Sequence, residues 1–130
     1  MFKKIKTTDD IEEFRERTND LHDGYIVGVH YANNGITSIP HGHLFDFQKT
    51  RLTLQILVTS MDDILVELEF EGVWEWQIKE NGNDMTDTTL MFDEKKRIIW
   101  SDDRYVNMEE RKKGSYAIAR SMKWRFVEQA

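Results

Sequence analysis

Two apolar alternations constrain this chain more than anything else in it. Leu52 to Val58 sets Leu52, Leu54, Ile56 and Val58 against Thr53, Gln55 and Leu57, and Ile64 to Phe70 sets Ile64, Val66, Leu68 and Phe70 against Leu65, Glu67 and Glu69. A period of two puts each set on one face of a strand. Antiparallel pairing of Val58 with Ile64 brings Ile56 opposite Val66, Leu54 opposite Leu68 and Leu52 opposite Phe70. A slip of one residue would oppose aliphatic side chains to glutamates, so the register is specified. Thr59 to Asp63 is left as the connecting loop of a hairpin.

The remaining segments fit around that hairpin. Asp9 to Leu21 reads as an amphipathic helix, with Ile11, Phe14, Thr18 and Leu21 on one stripe. Asp9 is its expected cap, and Glu12, three residues on, completes a capping box. Tyr25 to Ala32 is a strand ending in the turn signal Asn33-Asn34-Gly35. Beyond Glu71 the apolar parity runs on through Trp74, Trp76 and Ile78, with Gly72 marking a bend or bulge. A turn is expected over Glu80 to Asp84, short strands over Leu90–Phe92 and Ile98–Trp100, and a helical turn or two over Tyr105 to Lys112. A last strand spans Tyr116 to Val127, with Tyr116, Ile118, Met122, Trp124 and Phe126 on one face. The expected fold is α+β and mostly β: one single domain over residues 1–130, an N-terminal amphipathic helix packed on an antiparallel meander of about six to eight strands, as a roll or sandwich.

Composition narrows the function classes. The chain has no cysteine, which removes disulfides, thiolate metal sites and a cysteine nucleophile. The start, MFKKIKTTDD, has no apolar run behind its lysines, and no stretch reaches the length of a membrane span, so a cytoplasmic protein without a membrane partner is expected. The net charge is −6, and only Asp93–Arg97 and Glu109–Gly114 are locally basic. Phosphate backbones are bound by clustered Lys and Arg, so nucleic acid is not the expected ligand. A basic protein partner suits the charge better. An exposed edge strand can also pair with a second copy, which leaves a homodimer open.

Four histidines test for chemistry. If Asn34-Gly35 forms a two-residue turn, His30 falls opposite Ile39, Gly28 opposite His41 and Ile26 opposite His43. His30, His41 and His43 then share a face and form a candidate metal set. The spacing Gly35, five residues, His41, Gly42, His43 also resembles the first half of the cupin metal motif, implying a metal-dependent small-molecule enzyme. The glutamate of that motif would fall at Phe47 or Gln48, and no histidine follows His43. Pro40 would oppose Val29 and break the ladder, so His41 and His43 are expected in a loop and no cofactor is expected. His22 and Asp23 are a second candidate, as general base and orienter. Adjacent residues of an extended chain point apart, and no nucleophile motif accompanies them. Asp23 is expected to tie the turn from helix to strand, with Gly24 supplying the bend.

The candidates for partner binding lie on the long strand. Glu67, Glu69, Glu71 and Glu75 form an acidic row that a basic partner can meet, or that Lys123 and Arg125 of the last strand neutralise. Of Trp74, Trp76, Trp100 and Trp124, two or three are expected in the core and one at a rim, where it is an interface candidate. An aromatic sheet can alternatively enclose a small-ligand cavity.

The helix ending in Leu21-His22-Asp23, then GYIVGVHY (Gly24–Tyr31), LTLQILV, ILVELEFEGVWEW and late MKWRF (Met122–Phe126) resemble a group of small uncharacterised bacterial proteins. Some relatives of that group are proposed immunity proteins of polymorphic toxin systems. The resemblance implies a non-enzymatic protein-binding domain that neutralises a toxin, and assigns no active residue.

Overall fold

The computed structural model describes residues 1–33, 37–38, 42–43, 47–79, 84–104, 109 and 113–128. In chain order its elements are β1 (Lys3–Ile5), α1 (Thr8–Arg17), β2 (Gly24–Asn33), β3 (Thr37–Ser38), β4 (Gly42–His43), β5 (Thr50–Val58), β6 (Ile64–Gln77), β7 (Thr89–Phe92), β8 (Ile98–Ser101) and β9 (Tyr116–Val127). Seven strands form one antiparallel sheet in the order β2-β5-β6-β9-β8-β7, with β1 added alongside β9. The small β3–β4 pair stands apart from it. The fold is thus α+β and mostly β, with its helix near the N-terminus. No helix among the described residues is long and apolar enough to cross a membrane.

The β5–β6 hairpin has the register its alternation demands, with Leu52, Leu54, Ile56 and Val58 opposite Phe70, Leu68, Val66 and Ile64. Its loop is Thr59–Asp63, closed by Asp62 and Asp63 at φ of 56° and 59°. Aspartate tolerates that left-handed region better than most residues. The meander is interrupted once. After β6 the chain builds β7 and β8, then returns as β9 to lie between β8 and β6.

That apolar row is buried except at Ile64, which is half-buried, and is continuous with Met122 and Trp124 of β9. Helix α1 covers it through Ile11 and Phe14, the Phe14 ring meeting Trp124 edge-on at 5.2 Å. Farther along the sheet, Trp76, Ala117, Trp100 and Leu90 form one cross-strand row, and Ala117 is small enough to leave room for an indole on each side.

Several expectations need correction. The helix cap is Thr7 rather than Asp9, and its box partner is Asp10 rather than Glu12: Thr7 Oγ1 accepts from Asp10 N at 3.2 Å, while Asp10 Oδ2 accepts from Thr7 N at 3.0 Å and Lys6 N at 2.8 Å. The helix also stops at Arg17. Thr18 turns its hydroxyl back to Phe14 O at 2.7 Å, and Asn19, Asp20 and Leu21 take φ of 52° to 55°, reversing the chain while Leu21 stays buried. The expected Asn34-Gly35 turn lies outside the described residues. Strand β2 pairs with β5, His30 lying opposite Thr53, and Thr37–Ser38 pairs with Gly42–His43. The expected Glu80–Asp84 turn and Tyr105–Lys112 turns lie largely outside the described residues.

Parity also fails in two places. Trp76 and Ile78 pack against the core, but Trp74 does not, since β6 carries irregularities at Gly72 (φ 64°) and again between Val73 and Glu75. On β9, Met122 and Trp124 face the core together with Ala117 and Ala119, whereas Tyr116 and Ile118 belong to a second cluster with Ile99.

Candidate functional site

The irregularity in β6 exposes the most accessible aromatic side chain among the described residues, Trp74. Gly72 is required there on two counts, its positive φ and the 2.9 Å that a Cβ would have to Arg120 Cβ. Thr50, buried at the start of β5, accepts the next free donor, Val73 N–H, at 2.7 Å. The same hydroxyl donates to Phe47 O at 2.6 Å. One side chain therefore fixes both the bulge and the turn Phe47–Lys49. The outcome is that Trp74 stands out of the sheet, 61% exposed, with the Phe47 ring edge-on at 5.1 Å.

Beneath Trp74 runs a cross-strand row of Glu75, Ile118, Ile99 and Met91, contributed in turn by β6, β9, β8 and β7. Together with the β7–β8 turn these residues line a surface groove of about 520 Å³. Its far wall is the tight turn Asp93–Arg97. Asp93 Oδ1 accepts from the backbone N–H groups of Lys95 (2.9 Å) and Arg97 (2.8 Å), and Oδ2 from Arg97 Nε (2.7 Å). Burial pushes the Asp93 carboxyl up, but these bonds outweigh it and hold it below the usual carboxylate range. The guanidinium so anchored lies 5.3 Å from the Trp74 ring centroid. The groove thus offers an apolar floor, an exposed indole and a rim of both charges, including Glu75 and Glu94.

The acidic row is spent internally. Arg125 Nε donates to Glu67 Oε2, Lys123 lies 3.0 Å from Glu69, and Glu71 is approached by Lys123, Arg51 and Arg120 at 3.6 to 3.9 Å. The Phe2 ring covers Lys123 and Arg125, at 4.8 and 4.4 Å. Glu67, Glu69 and Glu71 are thereby neutralised across strands, as the charge parity of β9 anticipates, and Glu75 is separated from them by the bulge. Trp76 points to the opposite face, stacked on Tyr31 at 5.1 Å.

His22 and Asp23 do touch, against expectation: Asp23 has φ 60°, so the chain is not extended there, and His22 Nδ1 lies 3.3 Å from Asp23 Oδ1. Hydroxyls lie close by, but they serve the backbone. Ser60 Oγ donates to His22 O at 2.6 Å and Thr59 Oγ1 to Asp23 O at 2.7 Å. Asp23 N donates to Met85 O (2.8 Å), Met85 N to Gly24 O (2.9 Å), and Thr88 Oγ1 to Asp20 Oδ1 (2.9 Å). The junction is a tie between three segments. Gly24 is needed for close approach, since a Cβ would lie 2.7 Å from Leu21 O. These segments, 19–24, 59–63 and 84–88, bring six aspartates and no Lys or Arg to one end of the sheet.

The described backbone places only part of the candidate metal set. His30 is on β2, His43 is on β4 opposite Thr37, and His41 lies outside the described residues. Among the described residues no group of three or more His, Cys, Asp or Glu is placed to hold a metal ion. Sequence reasoning marked Trp74 but missed Phe47, Met91 and Arg97 as its neighbours. Only the compact run Asp93–Arg97 carried a signal for them, and Phe47 occupies a position where the cupin pattern would want glutamate. No family model, curated protein or solved structure matches this chain.

Proposed function

We propose that this chain is a non-enzymatic, acidic binding domain that recognises another protein in the cytoplasm through the Trp74 groove. In line with the resemblance to immunity proteins, the partner is a basic toxin that the domain holds inactive. The observation carrying this reading is the 61% exposure of Trp74 on the sheet, above an apolar row and beside Phe47. An indole costs little conformational entropy to dock, and tryptophan is enriched among the residues that dominate interface energy. The net charge of −6 and the aspartate-rich end raise the encounter rate of a basic partner. The hydroxyls beside His22 and Asp23 are committed to carbonyls, which supports binding over hydrolysis.

The test begins with native mass spectrometry of the tagged protein isolated from its own host. A stoichiometric basic polypeptide is expected, and co-expression of the domain should abolish that polypeptide's toxicity. Trp74→Ala should then weaken the purified complex by about 2 kcal/mol or more, roughly 30-fold in Kd. Recovery of the chain without any polypeptide, or an affinity indifferent to Trp74→Ala, would reject the proposal.

A further inference from the structure

We infer that β2 is an interface through which two copies of this chain pair, extending the sheet across a two-fold axis. Strand β2 ends the sheet: among the described residues β5 is its only strand partner, and its first residue, Gly24, is also bridged to Met85. Its outward edge therefore carries main-chain donors and acceptors that a further strand can satisfy. It also holds four of the seven exposed large apolar side chains among the described residues: Tyr25 (41%), Val27 (56%), Val29 (46%) and Tyr31 (38%).

Charge makes the same point. From Gly24 to Phe45 there is no Asp, Glu, Lys or Arg, although 32% of the chain is charged. The other long uncharged run, Leu52–Met61, begins on β5, whose two edges are both paired. Edge strands are ordinarily blunted by lysine, proline or a bulge. Here β2 has only the bulge at Val27, between Ile26 and Gly28, and the stretch Gly28–Asn33 continues in regular register. Elsewhere two copies of an acidic chain repel, and this edge lets them meet without opposing like charges.

The occupant that fits is a second copy, because β2 complements itself in one register. Past the bulge, Val29 and Tyr31 lie on the core face, opposite Leu54 and Leu52, while Gly28 and His30 lie on the outer face, opposite Gln55 and Thr53. A two-fold axis through His30 places Val29 opposite Tyr31 of the second copy and Tyr31 opposite its Val29. That aromatic to β-branched pairing is favourable, and Gly28 falls opposite Ala32. An axis through Val29 would oppose the outer Val27 to the inner Tyr31, and one through Tyr31 would set Val29 against Asn33. The pairing is isologous, as a closed dimer requires, and is independent of the Trp74 groove near the other edge of the sheet.

Sedimentation equilibrium, from low-micromolar concentration upward, should give twice the 15.5 kDa chain mass. Val29→Lys should return the monomer with an unchanged circular dichroism spectrum, while Met91→Lys on β7 should leave the dimer intact. Because the chain has no cysteine, register can be read directly. His30→Cys faces itself at a Cα separation within disulfide range and should cross-link on mild oxidation, whereas Ala32→Cys should not. If Val29→Lys fails to fold, the cysteine pair decides. A monomer at every concentration would overturn the inference. So would a dimer dissolved by Met91→Lys, or one that His30→Cys does not cross-link, including the case of a foreign strand occupying the edge.

Discussion

Thr50 holds the Val73 N–H and the Phe47 carbonyl with one hydroxyl, so the position of the exposed indole depends on a side chain that never reaches solvent. Thr50→Val keeps the shape but leaves a buried donor without an acceptor. It is expected to lower stability by about 1–3 kcal/mol in urea unfolding. The carboxylates of Asp102 and Asp93, on either side of β8, give opposite pH signatures. Burial raises the Asp102 carboxyl above its usual range, Asp103 adds to this, and the Ser115 N–H at 3.0 Å only partly offsets it. A folded-state value above the unfolded one means the stability linked to it is complete below the unfolded value and is lost as pH rises through the folded one. Asp102→Asn, which keeps an acceptor for Ser115, should therefore raise the unfolding midpoint at neutral pH, with the gain shrinking in acid. Asp93 has the reverse sign. Its lowered value contributes stability above the unfolded value that disappears as pH falls through the folded one.

At the scale of elements, what could be read in advance depended on how many residues carried the signal. The β5–β6 register rests on four apolar pairs, and any slip would have opposed aliphatics to Glu67 and Glu69. A bulge is a single-residue event, and Gly72 marked where β6 yields without saying that Trp74 would leave the core face. The pairing of β2 with β5 is a long-range gain that no short window contains. Helix α1 presented two overlapping boxes, Thr7 with Asp10 and Asp9 with Glu12. The outcome follows from β1: Ile5 is buried in the sheet, so only Lys6 and Thr7 remain to turn the chain into the helix. Thr7→Ala should cost about 1 kcal/mol in thermal unfolding while Asp9→Ala costs a few tenths at most. Equal losses would refute this assignment. The Trp74 site was half readable, since its indole was a candidate but its neighbours come from distant turns.

Across the whole molecule, charge and apolar surface are segregated. Aspartates gather where 19–24, 59–63 and 84–88 are tied, Glu67, Glu69 and Glu71 of β6 are compensated by Arg and Lys, and the uncharged edge lies across the sheet from the Trp74 groove. The four indoles follow the same segregation, and that has an optical consequence. Trp100 and Trp124 are 0% and 2% exposed, Trp76 is half-buried, and Trp74 is open to solvent. Their emission should separate under acrylamide into a readily quenched component, removed by Trp74→Phe, and a shielded remainder. A partner seated in the groove would shield that component, whereas pairing along β2 should leave it accessible. The intrinsic fluorescence of the unlabelled chain can therefore distinguish which of its two surfaces is occupied.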